Sequence, residues 1–498
     1  MDTHFESLDQ KKILDIIVAF NNERDFLNLL DIILNKMRDI ANCEAGTLYV
    51  VRDGKLHFTI VHNDVLGTFM REGEITLPPV SLDEKAIENI SAYCAINNTV
   101  VNIPDVYNST EFNFQGPKNY DAMTGFHTQS MMVFPLPDLQ GNVIGVIQLL
   151  NARDESNEII QFDPKLEFAF RSIANIAASA LANMQNVEEI KGLFYSVVRV
   201  MSQAIDERSP YTVNHARQTA EYVKGFVHFL REKFPPGSKY HFDENREEQV
   251  IMATLLHDVG KVVTPLDIMD KESRLDGRLP LLRQRFAIRK LQEQVEHLSG
   301  HMTHDEYDAA TKKLDGLLET MERINTATFL SDDDAVMVRE LSELTYKDES
   351  GAELHIFEPY DIESLSIKRG TLTDSERESM QNHVVVTGRL LDNIVFNKQY
   401  EHVPEWARKH HEFIDGTGYP DRLEKDKIPM EAHFITIMDI FDSLTASDRP
   451  YRKSISYENT IKILTEMAED GKLDSDLVAL FAESGVGQTG KLPAPDPS

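Results

Sequence analysis

The sequence predicts a multidomain chain: an N-terminal α+β unit with an antiparallel sheet and flanking helices, a long connecting helix, and a C-terminal all-α unit with a helical insertion. Three observations lead there. Short apolar runs and turn residues alternate with helical segments over the first third; a seven-residue apolar repeat follows; beyond Glu207 the pattern is helical and rich in His and Asp. The length of 498 residues leaves room for roughly three structural units at about 150 residues each.

Apolar residues recur at helical spacing over 27–40, which predicts the first helix. Residues 46–51 and 56–61 read as a hairpin across Arg52-Asp53-Gly54-Lys55, because Asp-Gly supplies the positive φ that a tight turn needs. A second helix is expected over 84–96. Strands are expected over 99–103, 130–136 and 143–150, with Gln140-Gly141-Asn142 as the turn between the last two. A long helix begins near Pro164. Along it Ile173, Ala180, Val187, Phe194 and Met201 recur every seven residues, as do Ala177, Met184, Val198 and Ile205, with Lys191 the polar member of that second set. A single domain seldom buries a seam of about five heptads, so the repeat predicts a parallel homodimer held by a coiled coil.

Beyond Glu207, helices over 280–298 and 304–325 are expected to form a helical hairpin, the second opening on the capping-box pair Thr303 and Glu306. Residues 346–351 read as a loop. The stretch after Glu483 is rich in Gly and Pro and reads as a disordered tail.

Composition excludes several functions. Lys plus Arg number 51 against 82 Asp plus Glu, a net charge of −31, so the surface repels nucleic acid and any anionic ligand needs a local positive site. Hydrophobic residues at 41% exclude a wholly disordered chain. The two cysteines, Cys43 and Cys94, form no CxxC pair or disulfide framework. The charged N-terminus lacks a signal-peptide core, and no apolar run nears the ~18 residues that cross a bilayer. A cytoplasmic protein with no membrane or nucleic-acid partner is expected.

Two clusters carry chemistry. His257-Asp258-Val259-Gly260-Lys261 follows the apolar run 250–256, and HHEFIDGTGYP occupies 410–420. A His-Asp pair at a helix end offers an imidazole nitrogen and a carboxylate to one metal region, and a carboxylate can bridge two cations where a neutral imidazole cannot. Imidazole with carboxylate suits Fe, Mn, Zn or Ni better than Mg or Ca. Adjacent His410 and His411 both serve only where a helix end bends, which the following glycines permit. His215, His383 and Asp439 extend the series, and together these residues point to a two-metal site.

HDVGK, then HHEFIDGTGYP, then IMDIFDSLTASDRPYR at 437–452, resembles the HD-GYP subgroup of HD-domain phosphohydrolases over about residues 200–480. The resemblance implies a helical fold, a two- or three-metal centre and hydrolysis of cyclic di-GMP. By position it places metal ligands on His215, His257, Asp258, His383, His410, His411 and Asp439, with Asp258 bridging. The glutamate of three-metal members falls on Tyr211 here, so two divalent transition metals, Fe or Mn foremost, are expected and a third is not. The family's close spacing of HD and third-His motifs is broken by an insertion at about 270–370, after which Gly370-Thr371-Leu372-Thr373 and Glu376 resume the pattern.

Catalytic roles are expected for Asp258, Lys261 and Asp442. Lys261 would hold a phosphate oxygen or assist the leaving group, and Asp442 would position Lys261 or a water. Arg449 and Arg452 would clamp the second phosphate, since the guanidinium fork matches phosphate oxygens. Gly418, Tyr419 and Pro420 would let backbone approach the ligand, with Tyr419 stacking on guanine. The remote His297, His301 and His304 read as a solvated face.

GFHTQSMMVFPLPDLQGNVIGVIQLLNARD at 125–154, followed by Phe162-Asp163, resembles a GAF domain of the phosphodiesterase-associated kind. That resemblance implies a sensor for a small molecule. The usual Asn-Lys reads Asn151-Ala152 here, which argues against a cyclic nucleotide. The organisation expected is therefore a GAF sensor over 1–185, a coiled-coil linker over 186–206, an HD-GYP domain over 207–482 and a tail over 483–498. The function expected is a GAF-regulated cyclic di-GMP phosphodiesterase releasing pGpG, GMP or both. The alternatives are a catalytically weak cyclic-dinucleotide receptor acting through protein partners, or a hydrolase of another cyclic dinucleotide such as cyclic GMP-AMP.

Overall fold

The computed structural model describes residues 26–83, 88–209, 214–446 and 454–488. The chain divides into two compact units, Met1–Leu193 and Phe194–Ser498.

In the first unit, β1 (Cys43–Arg52), β2 (Lys55–Asn63), β3 (Thr68–Arg71), β4 (Val80–Ser81), β5 (Val101–Ile103), β6 (Met131–Pro137), β7 (Val143–Arg153) and β8 (Ile159–Ile160) form one sheet. Its path is β3-β2-β1-β7-β6-β5, with β4 paired to β2 and β8 to β7, all antiparallel. The Asp-Gly hairpin forms as its chemistry requires: Arg52 faces Lys55, and Asp53 and Gly54 have φ of 49° and 69°.

Residues 43–50 of β1 are buried throughout, because both faces of the sheet are covered. One face packs on Leu30 and Leu34 of α1 (Phe26–Ala41) and on Phe170 and Ile173 of the long helix; the other packs on Ile90 and Cys94 of α2 (Ile90–Asn97). The helix expected over 84–96 begins at Ile90, where the Asn89 side chain accepts the N–H groups of Ser91 and Ala92 as an N-cap; residues 84–87 lie outside the described ones. A further helix, α3 (Gln115–Thr124), was not expected, since QGPKNYDAMT has no apolar stripe. Cys43 and Cys94 are both buried and unbridged.

The long helix α4 spans Leu166–Asp206, and the expected seam faces solvent over only part of it, at Val187 and Met201. Ile173, Ala177 and Ala180 are buried in the first unit's core. Val198 is buried in the second unit's core, where Phe194 packs on Phe396 and Tyr400. The open apolar stripe runs instead through Ile190, Leu193, Val197 and Val200, which are 55–67% exposed. The helix is apolar on more than one side, and the repeat alone does not tell which side its own domains cover.

The second unit is helical: α5 (His215–Lys233), α6 (Glu244–Leu256), α7 (Leu266–Met269), α8 (Leu279–Leu298), α9 (His304–Thr326), α10 (Asp332–Ser342), α11 (Pro359–Leu365), α12 (Asp374–Leu391), α13 (Val403–Arg408), α14 (Met430–Thr445), α15 (Tyr457–Glu469) and α16 (Ser475–Ser484). Its main core gathers Phe226, Val250, Leu256, Phe434, Phe441 and Phe481 from α5, α6, α14 and α16.

The insertion has a core of its own, with Leu282 and Phe286 of α8 against Leu317 and Met321 of α9, Val338 of α10 and Phe357. The Thr303–Glu306 capping box forms at the start of α9. The loop over 346–351 is the turn of a short hairpin, β9 (Thr345–Lys347) with β10 (Glu353–His355). His301 and His304 are 72% exposed, and His297 stacks on Tyr307. Residues 483–488 depart from the expected tail: α16 runs to Ser484, Gly485 caps it at φ 66°, and Val486 packs on the core. Residues 489–498 lie outside the described ones. No helix among the described residues is long and apolar enough to cross a membrane.

Candidate metal centre

Seven side chains from five places in the second unit converge. His215 opens α5; His257 caps the C-terminal end of α6 and Asp258 starts the 3-10 turn Val259–Val263; His383 lies within α12; His410 and His411 follow α13; Asp439 lies on α14. All are buried except His411, whose side chain is 23% exposed.

Their register depends on a close approach. Gly260 lies against α12, where an added Cβ would come within 2.6 Å of Thr387 N and inside contact of His383 O. Gly260 N–H donates to Thr387 Oγ1 at 2.9 Å, and that hydroxyl donates to His257 O at 3.0 Å. The His-Asp turn is thereby fixed to the helix that carries His383. Gly418 has a similar role after His411: a Cβ there would meet Glu412 Cα and His411 O at 2.6 Å.

Three imidazoles are oriented by one device. His257 Nδ1 donates to Thr254 O at 2.6 Å, His383 Nδ1 to Met380 O at 2.6 Å, and His410 Nδ1 to Ala407 O at 2.7 Å. A carbonyl only accepts, so each neutral ring carries its proton on Nδ1 and keeps a bare lone pair on Nε2. All three Nε2 atoms, and Oδ1 of Asp258, are buried without a hydrogen-bond partner. Buried polar atoms are ordinarily paired, and orphans converging at a site mark a missing ion or water.

Asp258 stands between two sets. Its Oδ2 is 3.3 Å from His257 Nε2 and 3.6 Å from His215 Nε2; its Oδ1 is 3.3 Å from His383 Nε2 and 4.0 Å from His410 Nε2. Asp439 Oδ1 lies 3.1 Å from His215 Nε2, and its Oδ2 lies 3.9 Å from His411 Nδ1. Three groups have ligand atoms mutually within 4.8 Å: His215, His257 and Asp439; His257, Asp258 and His410; His383, His410 and His411. Orphaned lone pairs and carboxylate oxygens of this kind fit divalent transition metals.

The electrostatics divide the site. Burial and the nearby His411 and His257 hold His410 well below the usual imidazole range, and burial takes His411 down to about 3. Neutral imidazole is the ligand form. Burial opposes ionisation of Asp258, yet Lys261 and His257 hold its carboxyl well below the usual range. Burial also works against His215, but Asp439 and Asp442 raise it to about 10.

The other expected site residues fall as follows. Lys261 does not continue α6; it sits in the 3-10 turn with Nζ 2.5 Å from Asp258 Oδ2. Asp442 accepts from His215 Nδ1 at 2.6 Å. Tyr419 lies against His411, ring centroids 4.7 Å apart, with Gly418 and Pro420 beside it. Arg449, Arg452 and Tyr211 lie outside the described residues. Glu412 was in the motif with no role assigned; it is fully buried and accepts the N–H groups of Asp421 and Leu423 at 2.7 and 2.8 Å, which ties down the loop beyond Tyr419. Thr387 and Thr436, whose hydroxyl donates to His410 O at 2.6 Å, were not found because nothing in their sequence context marks them.

The HD domain family matches residues 354–477 and the GAF domain family matches residues 25–181. The chain carries a GAF domain and an HD domain. The HD match contains His383, His410, His411 and Asp439, while His215, His257 and Asp258 precede it, so the metal centre joins residues from both sides of the insertion. The chain is 36% identical over 115 residues to the 3'3'-cGAMP-specific phosphodiesterase 1 of Vibrio cholerae, covering 23% of this chain and 26% of that protein. It is 33% identical over 111 residues to the cyclic di-GMP phosphodiesterase response regulator RpfG of Xanthomonas campestris, covering 22% and 28%. It is 32% identical over 126 residues to the cyclic di-GMP phosphodiesterase PA4108 of Pseudomonas aeruginosa, covering 25% and 29%. The chain thus spans less than a third of the length of these relatives.

Proposed function

We propose that the HD domain is a metal-dependent phosphodiesterase that opens a cyclic dinucleotide, with cyclic di-GMP the leading substrate, and that the GAF domain regulates it through a small molecule. The observation that carries this reading is Asp258, whose two oxygens face separate sets of orphaned imidazoles. His215, His257, Asp258 and Asp439 would hold one divalent cation; Asp258, His383, His410 and His411 would hold the other, with Fe or Mn best suited to the donor set. When bound, such a pair supplies an acidified water near neutral pH and neutralises phosphodiester charge.

The chain's own residues do the rest. Asp442 keeps His215 in the tautomer whose Nε2 faces Asp439 and Asp258. Lys261, held by Asp258 and 19% exposed, offers an ammonium to a phosphate oxygen. Glu412 fixes the Gly418-Tyr419-Pro420 loop beside His411, where the Tyr419 ring offers a face to a base. Arg449 and Arg452 are proposed to clamp the second phosphate. The exposed stripe of α4 is proposed to pair two copies in parallel: Ile190 and Val197 occupy one core position of a heptad and Leu193 and Val200 the other, with β-branched residues at the position where two-stranded coils prefer them.

The test is hydrolysis of cyclic di-GMP by purified protein loaded with iron(II) or manganese(II) without oxygen, beside His257→Ala and Asp258→Ala. Metal-dependent release of pGpG or GMP, absent in both variants, supports the proposal. Tight binding with no turnover under either metal sinks it in favour of a receptor. Cyclic GMP-AMP belongs in the same assay, because one relative is named for that specificity.

A further inference from the structure

The residues just past α4 grip the chain around Lys261. The helix ends at Asp206, yet Glu207 N–H still donates to Gln203 O at 2.9 Å and Arg208 N–H to Ile205 O at 3.1 Å. Backbone bonds therefore fix Arg208 to the last turn of α4. Its half-buried guanidinium donates through Nη1 to Lys261 O and through Nη2 to Thr264 O at 3.1 Å. Beside it, Ser209 Oγ donates to Asp270 Oδ1 at 2.5 Å. Two neighbouring side chains thus hold one stretch of chain, 261–270, that begins three residues after Asp258.

A basic residue at a helix end commonly bonds that helix's own last carbonyls. These two bonds of Arg208 go instead to a turn 53 and 56 residues away. Both acceptors are backbone carbonyls, so the bonds set the path of the chain itself, and a charged donor makes them stronger than neutral ones. Thr264 N–H donates to Lys261 O at 3.0 Å and closes the end of the 3-10 turn, so Arg208 holds that end. The start of the turn is held from α12, where Gly260 N–H donates to Thr387 Oγ1 at 2.9 Å. Lys261 lies between the two anchors. Its stem is flexible, so its ammonium keeps a fixed place only where the backbone beneath it is fixed. Nζ sits 2.5 Å from Asp258 Oδ2.

We infer that Arg208 is a positioning residue: it anchors the Lys261 turn to the end of α4 and so places the Lys261 ammonium for a phosphate oxygen. The phosphate part rests on the phosphodiesterase reading above.

The test uses the full chain with Arg208→Met, Arg208→Lys, Lys261→Met, and Arg208→Met combined with Lys261→Met. Amide hydrogen exchange needs neither metal nor nucleotide. In Arg208→Met it is expected to quicken about tenfold or more at Lys261 and Thr264, where bonds from a charged donor are lost. With manganese and cyclic di-GMP, kcat/KM is expected to fall about a hundredfold in Arg208→Met, the scale of a displacement of about 1 Å near the reacting atoms. Arg208→Lys, which keeps a charged donor, is expected to fall between. Manganese affinity is expected to match wild type, because these bonds end on Lys261 and Thr264. Adding Arg208→Met to Lys261→Met is expected to cost nothing further, since the first residue acts through the second. Exchange unchanged in Arg208→Met overturns the anchor. Losses that multiply in the double variant, or manganese affinity that falls with kcat/KM, overturn Lys261 as the group it serves. A wild-type chain without turnover refutes the phosphodiesterase reading instead, and the exchange result alone then decides the anchor.

Discussion

Asp258 presents its two carboxylate oxygens to opposite imidazoles: Oδ2 is 3.3 Å from His257 Nε2, and Oδ1 is 3.3 Å from His383 Nε2. His257 and His383 lie on either side of the insertion, so the bridge depends on two chain segments meeting. Asp258→Asn keeps the volume and loses the charge. We expect hydrolysis to fall at least about a thousandfold, in line with losses seen when machinery that acts as a unit is broken. Elemental analysis is expected to show the metal content of the loaded protein falling by one ion or more per chain. Full metal content with full activity would falsify the bridging role.

Asp442, bonded to His215 Nδ1, is proposed to act through that imidazole as a positioning residue. Partners that orient a ligating imidazole are typically worth 10- to 100-fold in metal affinity. Asp442→Ala is therefore expected to weaken manganese binding by about that factor, with activity restored at saturating metal. Asp442→Asn keeps an oxygen that accepts from Nδ1–H and is expected to fall between wild type and the alanine variant. A loss that excess manganese does not restore, equal in both variants, argues for a direct role in the chemistry instead.

Gly260 and Thr387 lock the His-Asp turn to α12. A methyl at Gly260 must push apart two backbone segments, so Gly260→Ala is expected to cost about 1–3 kcal/mol, the range for overpacking a tight contact. Thr387→Val keeps the shape but strands Gly260 N–H and His257 O in a buried place, at about 1–3 kcal/mol. Urea unfolding measures both. A Gly260→Ala protein as stable as wild type means the contact relaxes at no cost.

Of the candidate metal ligands, His257, Asp258, His410 and His411 were legible because they fall in two compact motifs that keep their residue order whatever lies between, while His215, His383 and Asp439 stand singly on three separate helices. The ligands' partners were not legible. Asp442 and His215 are 227 residues apart, and only the packing of α14 on α5 brings the carboxylate to the imidazole. Four residues after His257, Lys261 would lie one turn further along a continuous helix, but α6 ends at Leu256 and the 3-10 turn swings the lysine back onto Asp258. The heptad repeat was visible in α4, yet Ile173, Ala177, Ala180 and Val198 of the expected seam are buried by the helix's own domains. Periodicity reports that a helix has apolar sides; which one remains open is settled by tertiary packing.

The open side of α4 carries its own prediction. If Ile190, Leu193, Val197 and Val200 pair two copies, Leu193→Glu with Val197→Glu places four carboxylates in one seam. Sedimentation is expected to show a dimer for wild type and a monomer for the double variant. Val187→Glu with Met201→Glu, the exposed members of the expected seam, tests the alternative; dissociation by this pair alone would return the interface to the original seam.

The last prediction concerns pH. Lys271 Nζ lies 2.8 Å from both oxygens of Glu376, and Tyr360 O–H donates to the same carboxylate at 2.6 Å. Glu376 also forms the capping box of α12 with Thr373, so the pair joins the insertion to the helix that carries His383. Burial works to raise the Glu376 carboxyl, but the bonds from Lys271 and Tyr360 outweigh it and hold the group below its usual value. A carboxylate lowered in the folded state adds stability that is fully present above the unfolded value of about 4.3, and that is lost as pH falls through the lower folded value. Over that window the unfolded chain binds the extra proton, so stability must drop with acid. Glu376→Gln removes this titration and leaves every other carboxylate in place. The stability difference between wild type and Glu376→Gln, measured by urea unfolding, is expected to be constant from pH 7 to about 5 and to shrink below that. Lys271→Met instead leaves a buried carboxylate without its cation, at about 3–5 kcal/mol near neutral pH, and part of that loss is recovered in acid as Glu376 takes up a proton. A wild-type advantage over Glu376→Gln that stays flat down to pH 3 means the Lys271 pair does not hold the carboxylate.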